Sequence, residues 1–173
     1  MSASLNRRLG CRLAVGVAAS TSSLYLAAVA FGLPSFTTAP KSAPGSGLQA
    51  ELYALTAGCH ATYDRIVIRA RSATPGYRVR YVSKVIADGS GNTVSLLGTK
   101  RIHVVVPEGR AHTSSGGALL PRVVTPLCPN LRQAKVAGDF EGVVSFGLGL
   151  RRKTGFRVFR LTAPTRIVVD VAH

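Results

Sequence analysis

The stretch YDRIVIRAR (Tyr63–Arg71) alternates apolar and polar residues, and the turn signal TPG separates it from a second alternating run, YRVRYVSKVIA (residues 77–87). This alternation predicts two half-buried β-strands, because successive side chains of a strand point to opposite faces of its sheet. Basic residues occupy one face of each run. If the two strands pair, these residues form one positive surface.

Further short apolar runs follow at near-even spacing, separated by Gly, Pro and Asn. They are TVSLLG after the turn signal DGSGN, then RIHVVVP, RQAKVAG, GVVSFGLGL, GFRVFRL and TRIVVDV. Outside the first forty residues, no window carries an apolar stripe at helical spacing. The pattern predicts an all-β sandwich or barrel. Residues 108–130 are rich in Gly, Ser and Pro and predict a long loop that is either mobile or functional.

The first 49 residues predict a targeting segment and a linker. A basic start, MSASLNRRLGCR, precedes the apolar run LAVGVAASTSSLYLAAVAFGL, and AVA fits a cleavage site after Ala30. We therefore expect a signal peptide at residues 1–30. The alternative is an uncleaved membrane anchor at residues 13–33, and both readings predict export. Residues 31–49 are rich in Pro, Ser, Thr, Ala and Gly and predict a flexible linker, which places the folded domain at residues 50–173.

Two cysteines remain after Cys11, which lies in the leader: Cys59 and Cys128. An even pair in an exported domain predicts a disulfide. The alternative is two buried thiols that do not meet. Neither cysteine has a second metal ligand at zinc-site spacing, so the sequence predicts no metal and no cofactor.

The charge balance predicts anionic partners. Lys and Arg total 22 against seven Asp and Glu, a net charge of +15. Export disfavours nucleic acid and favours wall glycan, teichoic-type polymers or lipid head groups. The alternative is a solvated face that keeps the protein soluble. The candidate binding residues are Arg65, Arg69, Tyr77, Arg78, Arg80, Tyr81, Lys84, Arg151 and Arg152.

One pair of acids is a candidate catalytic site. Asp139 and Glu141 lie two positions apart and could mimic the paired carboxylates of a glycosidase. Gly138 and Gly142 bracket them, which favours a scaffold role in which Asp139 accepts hydrogen bonds from backbone N–H groups and Glu141 meets an arginine. The segment around His112 lacks the nucleophile elbow of a serine hydrolase. The sequence therefore predicts no catalytic residue.

Several blocks together resemble a known family. YDRIVIRA, GYRVRYV, DGSG, AGDFEGVVSFGLGL and GFRVFRLTAPTRIVVDVAH resemble the AMIN-like domain of exported actinobacterial proteins. The closing block is also similar to the end of AMIN domains, non-catalytic modules that localise amidases and secretins to the envelope. The resemblance implies a small sandwich of two antiparallel sheets that binds peptidoglycan or an envelope partner. The chain departs from the pattern in its cysteine pair, its basic strand faces and its lack of a lipobox.

These observations predict a non-catalytic exported module of the cell envelope that binds peptidoglycan or an anionic wall component. One alternative is an accessory protein whose long loop, residues 108–130, docks another exported protein. A second alternative is a small hydrolase that uses Asp139 and Glu141. We expect membrane attachment only if the leader is not cleaved.

Overall fold

A computed structural model describes residues 32–173, which contain eleven β-strands and no helix. The predicted signal peptide or anchor at residues 1–30 lies outside this part of the chain. The strands are β1 (Lys41–Ala43), β2 (Ala50–Cys59), β3 (Tyr63–Arg71), β4 (Tyr77–Val82), β5 (Lys100–Pro107), β6 (Gly109–Arg110), β7 (Val123–Val124), β8 (Leu131–Phe140), β9 (Val143–Leu150), β10 (Phe156–Thr162) and β11 (Thr165–Ala172).

The strands form two sheets. One has six strands in the order β1-β4-β5-β9-β8-β7, and the other has five in the order β10-β11-β3-β2-β6. Neighbouring strands run antiparallel except β2 and β6, which are parallel. The all-β, two-sheet prediction is confirmed, and the expectation of purely antiparallel sheets is corrected at β6.

The core lies between the sheets and draws on both. Ile66 and Ile68 of the five-stranded sheet share one buried cluster with Ile102, Phe146 and Leu148 of the six-stranded sheet, and all five are 0% exposed. Burying a side chain of this size contributes about 2 kcal/mol. The shared core makes the molecule a sandwich rather than a barrel.

The two alternating runs, Tyr63–Arg71 and residues 77–87, do not pair with each other. β3 hydrogen-bonds to β2 on one side and β11 on the other, whereas β4 lies between β1 and β5 in the second sheet. Both edges of β3 are therefore occupied, and the connection after Arg71 crosses from one sheet to the other. The single positive surface that pairing would create does not exist.

Two further segments differ from the sequence pattern. The sequence pattern does not predict β2, because a register shift between Leu52 and Ala54 interrupts its alternation. TVSLLG is not a strand, and only one bridge, Ile86 to Thr93, joins this region to its predecessor. Instead, residues 83–98 pack on the outer face of the six-stranded sheet, where Val85 and Leu96 form a second small core with Ala137. Arg78 and Arg80 on the outer face of β4 remain exposed beside this loop.

Part of the predicted linker has regular structure. Lys41–Ala43 pairs with β4, and Thr37 forms a bridge to Phe156 at the start of β10. The Lys41 ammonium donates to the Thr37 hydroxyl at 2.8 Å and lies 4.1 Å from the centre of the Phe156 ring. Among residues 32–173 there is no helix with the length and apolar character that a membrane crossing requires.

The predicted disulfide between Cys59 and Cys128 is confirmed, with 5.4 Å between the Cα atoms. Asp64 lies near both sulfur atoms. Because the two cysteines are bonded to each other, their sulfurs are not free thiolates that could bind a metal ion.

Candidate anion-binding groove

The outer face of β4 and β5 forms an open groove of about 500 Å³. Alternation along β4 points Arg78 and Arg80 outward, because Tyr77 and Val79 point into the core. Arg78 pairs in register with Val105, and Arg80 pairs with His103. Two arginines, one histidine and an apolar side chain therefore share one surface.

The segment before the predicted domain supplies one wall of this groove. Pro40, Lys41 and Ser42 line it. Lys41 pairs in register with the inward-facing Val79, and its ammonium is held by Thr37, so it does not add its charge to the outer face. This wall could not be predicted from the sequence, because a three-residue strand in a segment rich in Pro and Ser has no detectable period.

The two groove arginines are available to a ligand. Both are exposed, and neither side chain forms an ion pair or a hydrogen bond with another residue of the described part of the chain. No acidic residue lines the groove within residues 32–173. Guanidinium groups present planar arrays of N–H donors that match carboxylate and phosphate oxygens.

His103 also lines the groove, although no sequence motif marks it as a site residue. Burial lowers the pKa of His103, the nearby Asp88 carboxylate opposes this shift, and Arg80 adds to it. The Nε2 atom is buried and has no hydrogen-bond partner within the described residues. At neutral pH the ring is therefore uncharged, and the groove owes its positive charge to Arg78 and Arg80.

The two tyrosines predicted for this surface point the other way. Tyr77 is 8% exposed and lies in the core. The Tyr81 hydroxyl donates to the Thr154 carbonyl at 2.8 Å, and burial raises the pKa of Tyr81. Both rings lie on the inner face of β4 and are therefore not beside Arg78 and Arg80. The prediction that these tyrosines and arginines form one binding surface is wrong.

Arg65 has a structural partner on the five-stranded sheet. Its Nε donates to Asp170 at 2.6 Å, and Arg157 donates to the same fully buried carboxylate at 2.8 Å. The hydrogen bond to Asp170 raises the pKa of Arg65. The arginine is committed to this network because separating it would leave a buried carboxylate short of a partner.

The other predicted site residues lie apart from the groove. Arg69 is exposed on the outer face of the five-stranded sheet, opposite Arg166. Lys84 is exposed in the loop that follows β4, and Arg151 and Arg152 are exposed between β9 and β10. Of the nine predicted residues, the structure brings only Arg78 and Arg80 together in this groove.

Asp139 and Glu141 do not share a strand. Asp139 lies near the end of β8, where its carboxylate accepts from the Ala111 N–H at 3.2 Å and contacts His112 Nδ1 at 2.7 Å. Glu141 follows β8 in the two-residue turn to β9, with a φ of 48°. The predicted backbone contact of Asp139 is confirmed. Glu141 forms no ion pair with an arginine within residues 32–173, so that part of the prediction is wrong.

Comparison with protein families identifies the fold. The family model of the AMIN-like domain matches residues 50–173. The chain belongs to the AMIN-like domain family. A comparison with curated proteins finds no match, and a comparison with solved structures finds none either.

Membership has two consequences for this AMIN-like chain. AMIN-like domains are generally non-catalytic binding modules. The family is related to the cell envelope, and an AMIN-like domain with a disulfide fits an extracellular or envelope protein, because structural disulfides persist in oxidising compartments.

Proposed function

We propose that this AMIN-like protein is an exported, non-catalytic module that binds an anionic component of the cell wall in the groove on β4 and β5. The observation that carries this proposal is the pair Arg78 and Arg80, exposed and without an acidic partner within the described residues, on the wall of a groove of about 500 Å³. The ligand groups that fit are carboxylates of peptidoglycan or phosphates of a wall polymer.

The groove favours an extended ligand over a compact substrate. It is open, and the Val105 side chain lies beside the arginines on its floor. An apolar side chain in this position can pack against the carbon skeleton of a polymer while the two arginines bind its anionic groups. Each exposed charge contact contributes up to about 1 kcal/mol, so binding to one repeat is weak and binding to a polymer gains from repetition.

The test compares retention of the full chain on purified wall material. Replacing Arg78 and Arg80 with Gln is expected to lower retention about tenfold at low salt, because two charge contacts are lost. The loss should shrink as salt rises, since the Debye length falls to about 8 Å at physiological ionic strength. Walls with and without their attached anionic polymers distinguish phosphate ligands from peptidoglycan carboxylates.

A matched variant controls for net charge. R151Q/R152Q removes the same two charges from a different surface and is expected to keep retention near that of the unmodified chain. Equal losses in both variants would mean that overall charge retains the protein, and unchanged retention of R78Q/R80Q would exclude the groove.

A further inference from the structure

A second cationic surface lies at one end of the sandwich, which we call the basic end. It combines the start of β5, the start of β8 and the connection from β9 to β10. The register places these segments together, because both Lys100 and Leu131 pair with Leu150. Its cations are Lys100, Arg101, Arg132, Arg151, Arg152 and Lys153.

No acid neutralises this surface within residues 32–173. Two depressions of about 360 and 380 Å³ are lined by its cations and by no acidic residue. The nearest buried carboxylates are already used: Asp64 accepts from the Asn130 and Leu131 N–H groups at 2.7 Å, and Asp170 is held by two arginines. The six cations of the basic end therefore have no acidic partner within the described residues.

The end is also held in a fixed shape. The Cys59–Cys128 disulfide and Asp64 fix the residues before β8. Asn130 Nδ2 donates to the Ala172 carbonyl at 3.0 Å, and its Oδ1 accepts from the Arg152 N–H at 3.0 Å. A cationic loop fixed in this way loses little conformational freedom when it binds.

The chain joins the fold at this same end. Phe36 lies against Gly155, and the Arg157 guanidinium stacks 4.4 Å from the centre of the Phe36 ring. Thr37 then bridges to Phe156, directly after the basic connection. In sequence, the apolar run of residues 13–33 ends three residues before Phe36.

We infer that the basic end is a docking surface for an anionic lipid bilayer. Cations close to such a surface each raise binding by about fivefold, and the effect decays within a Debye length. The cluster has the size of known lipid-binding basic clusters. The groove proposed for wall binding shares no lining residue with the two depressions of the basic end.

The test measures flotation of the full chain with vesicles. R151Q/R152Q is expected to bind vesicles of phosphatidylglycerol and phosphatidylcholine about 25-fold more weakly than the unmodified chain, because two cations are lost. Binding to phosphatidylcholine alone should be equal for both, since the apolar run is present in each. These two side chains make no hydrogen bond to another described residue, so the fold should be unaffected.

R78Q/R80Q is the matched control and should bind anionic vesicles like the unmodified chain. Hydrogen exchange on the bound protein gives a readout that does not depend on the leader: residues 97–101 and 150–154 should be protected on anionic vesicles and not on neutral ones. Equal vesicle binding by R151Q/R152Q, absence of this protection, or a defect seen only with soluble polyphosphate would overturn the inference. Wall retention by the groove is measured separately, so either proposal can fail without the other.

Discussion

The two ends of the sandwich differ in how their charged residues are paired. At the basic end, the arginines and lysines have no acidic partner within the described residues. At the other end, which we call the acidic end, Glu51 forms ion pairs with Arg71 and Arg110, and Asp139 contacts His112. The pairs at the acidic end stabilise the fold locally, whereas the free cations at the basic end are available to a partner.

The ends also differ in how the backbone is held. The basic end has a disulfide and a buried carboxylate that accepts two N–H groups. The acidic end is closed by tight turns, in which the Gly109 N–H donates to the Gly142 carbonyl at 2.8 Å. A surface that carries unpaired like charges repels itself, and covalent and buried polar restraints at the basic end offset that cost.

Removing the disulfide should have the largest effect on this difference. The Cys59–Cys128 bond closes a sequence separation of 69 residues. In the chain-entropy model, its loss in C59S/C128S lowers the free energy of unfolding by about 4 kcal/mol. Urea denaturation at neutral pH measures this value. A loss below about 1 kcal/mol would show that the basic end is held by its hydrogen bonds alone.

Alanine substitutions at two glycines, one at each end, test how closely the backbone is packed there. Gly98 has a φ of 99°, and an added Cβ would lie 2.3 Å from the Leu150 carbonyl oxygen. Gly142 has a φ of 75°, with the nearest atom 3.9 Å away. We expect Gly98→Ala to cost about 3 kcal/mol, because backbone must move, and Gly142→Ala about 1 kcal/mol from its left-handed backbone alone. Thermal unfolding of the two variants checks the order, and a reversed order would contradict the packing described for the basic end.

Local alternation was enough to predict most strands, but it could not assign them to sheets. The run at Tyr63–Arg71 coincides with β3, and RIHVVVP lies within β5. Pairing depends on long-range contacts that a period of two does not encode, so the partners of β3 and β4 were open. β2 was missed for a local reason, since its bulge after Leu52 breaks the alternation.

The candidate site was predictable only in part. Alternation alone placed Arg78 and Arg80 on one face of their strand, and the structure agrees. The same alternation placed Tyr77 and Tyr81 on the opposite face, which is the core. The ion pair between Arg65 and Asp170 could not be predicted, because the two residues are 105 positions apart in sequence. The cysteine pair was predictable because the number of candidate partners was so small.

The most direct test of the wall-binding claim is a chemical-shift map of the isotope-labelled protein with soluble fragments of anionic wall material. The account predicts that shifts concentrate on β1, β4 and β5, at Ser42, Arg78, Arg80, His103 and Val105, and disappear in R78Q/R80Q. Shifts centred instead on His112, Asp139 and Glu141 would contradict the account and would indicate a binding site at the acidic pair.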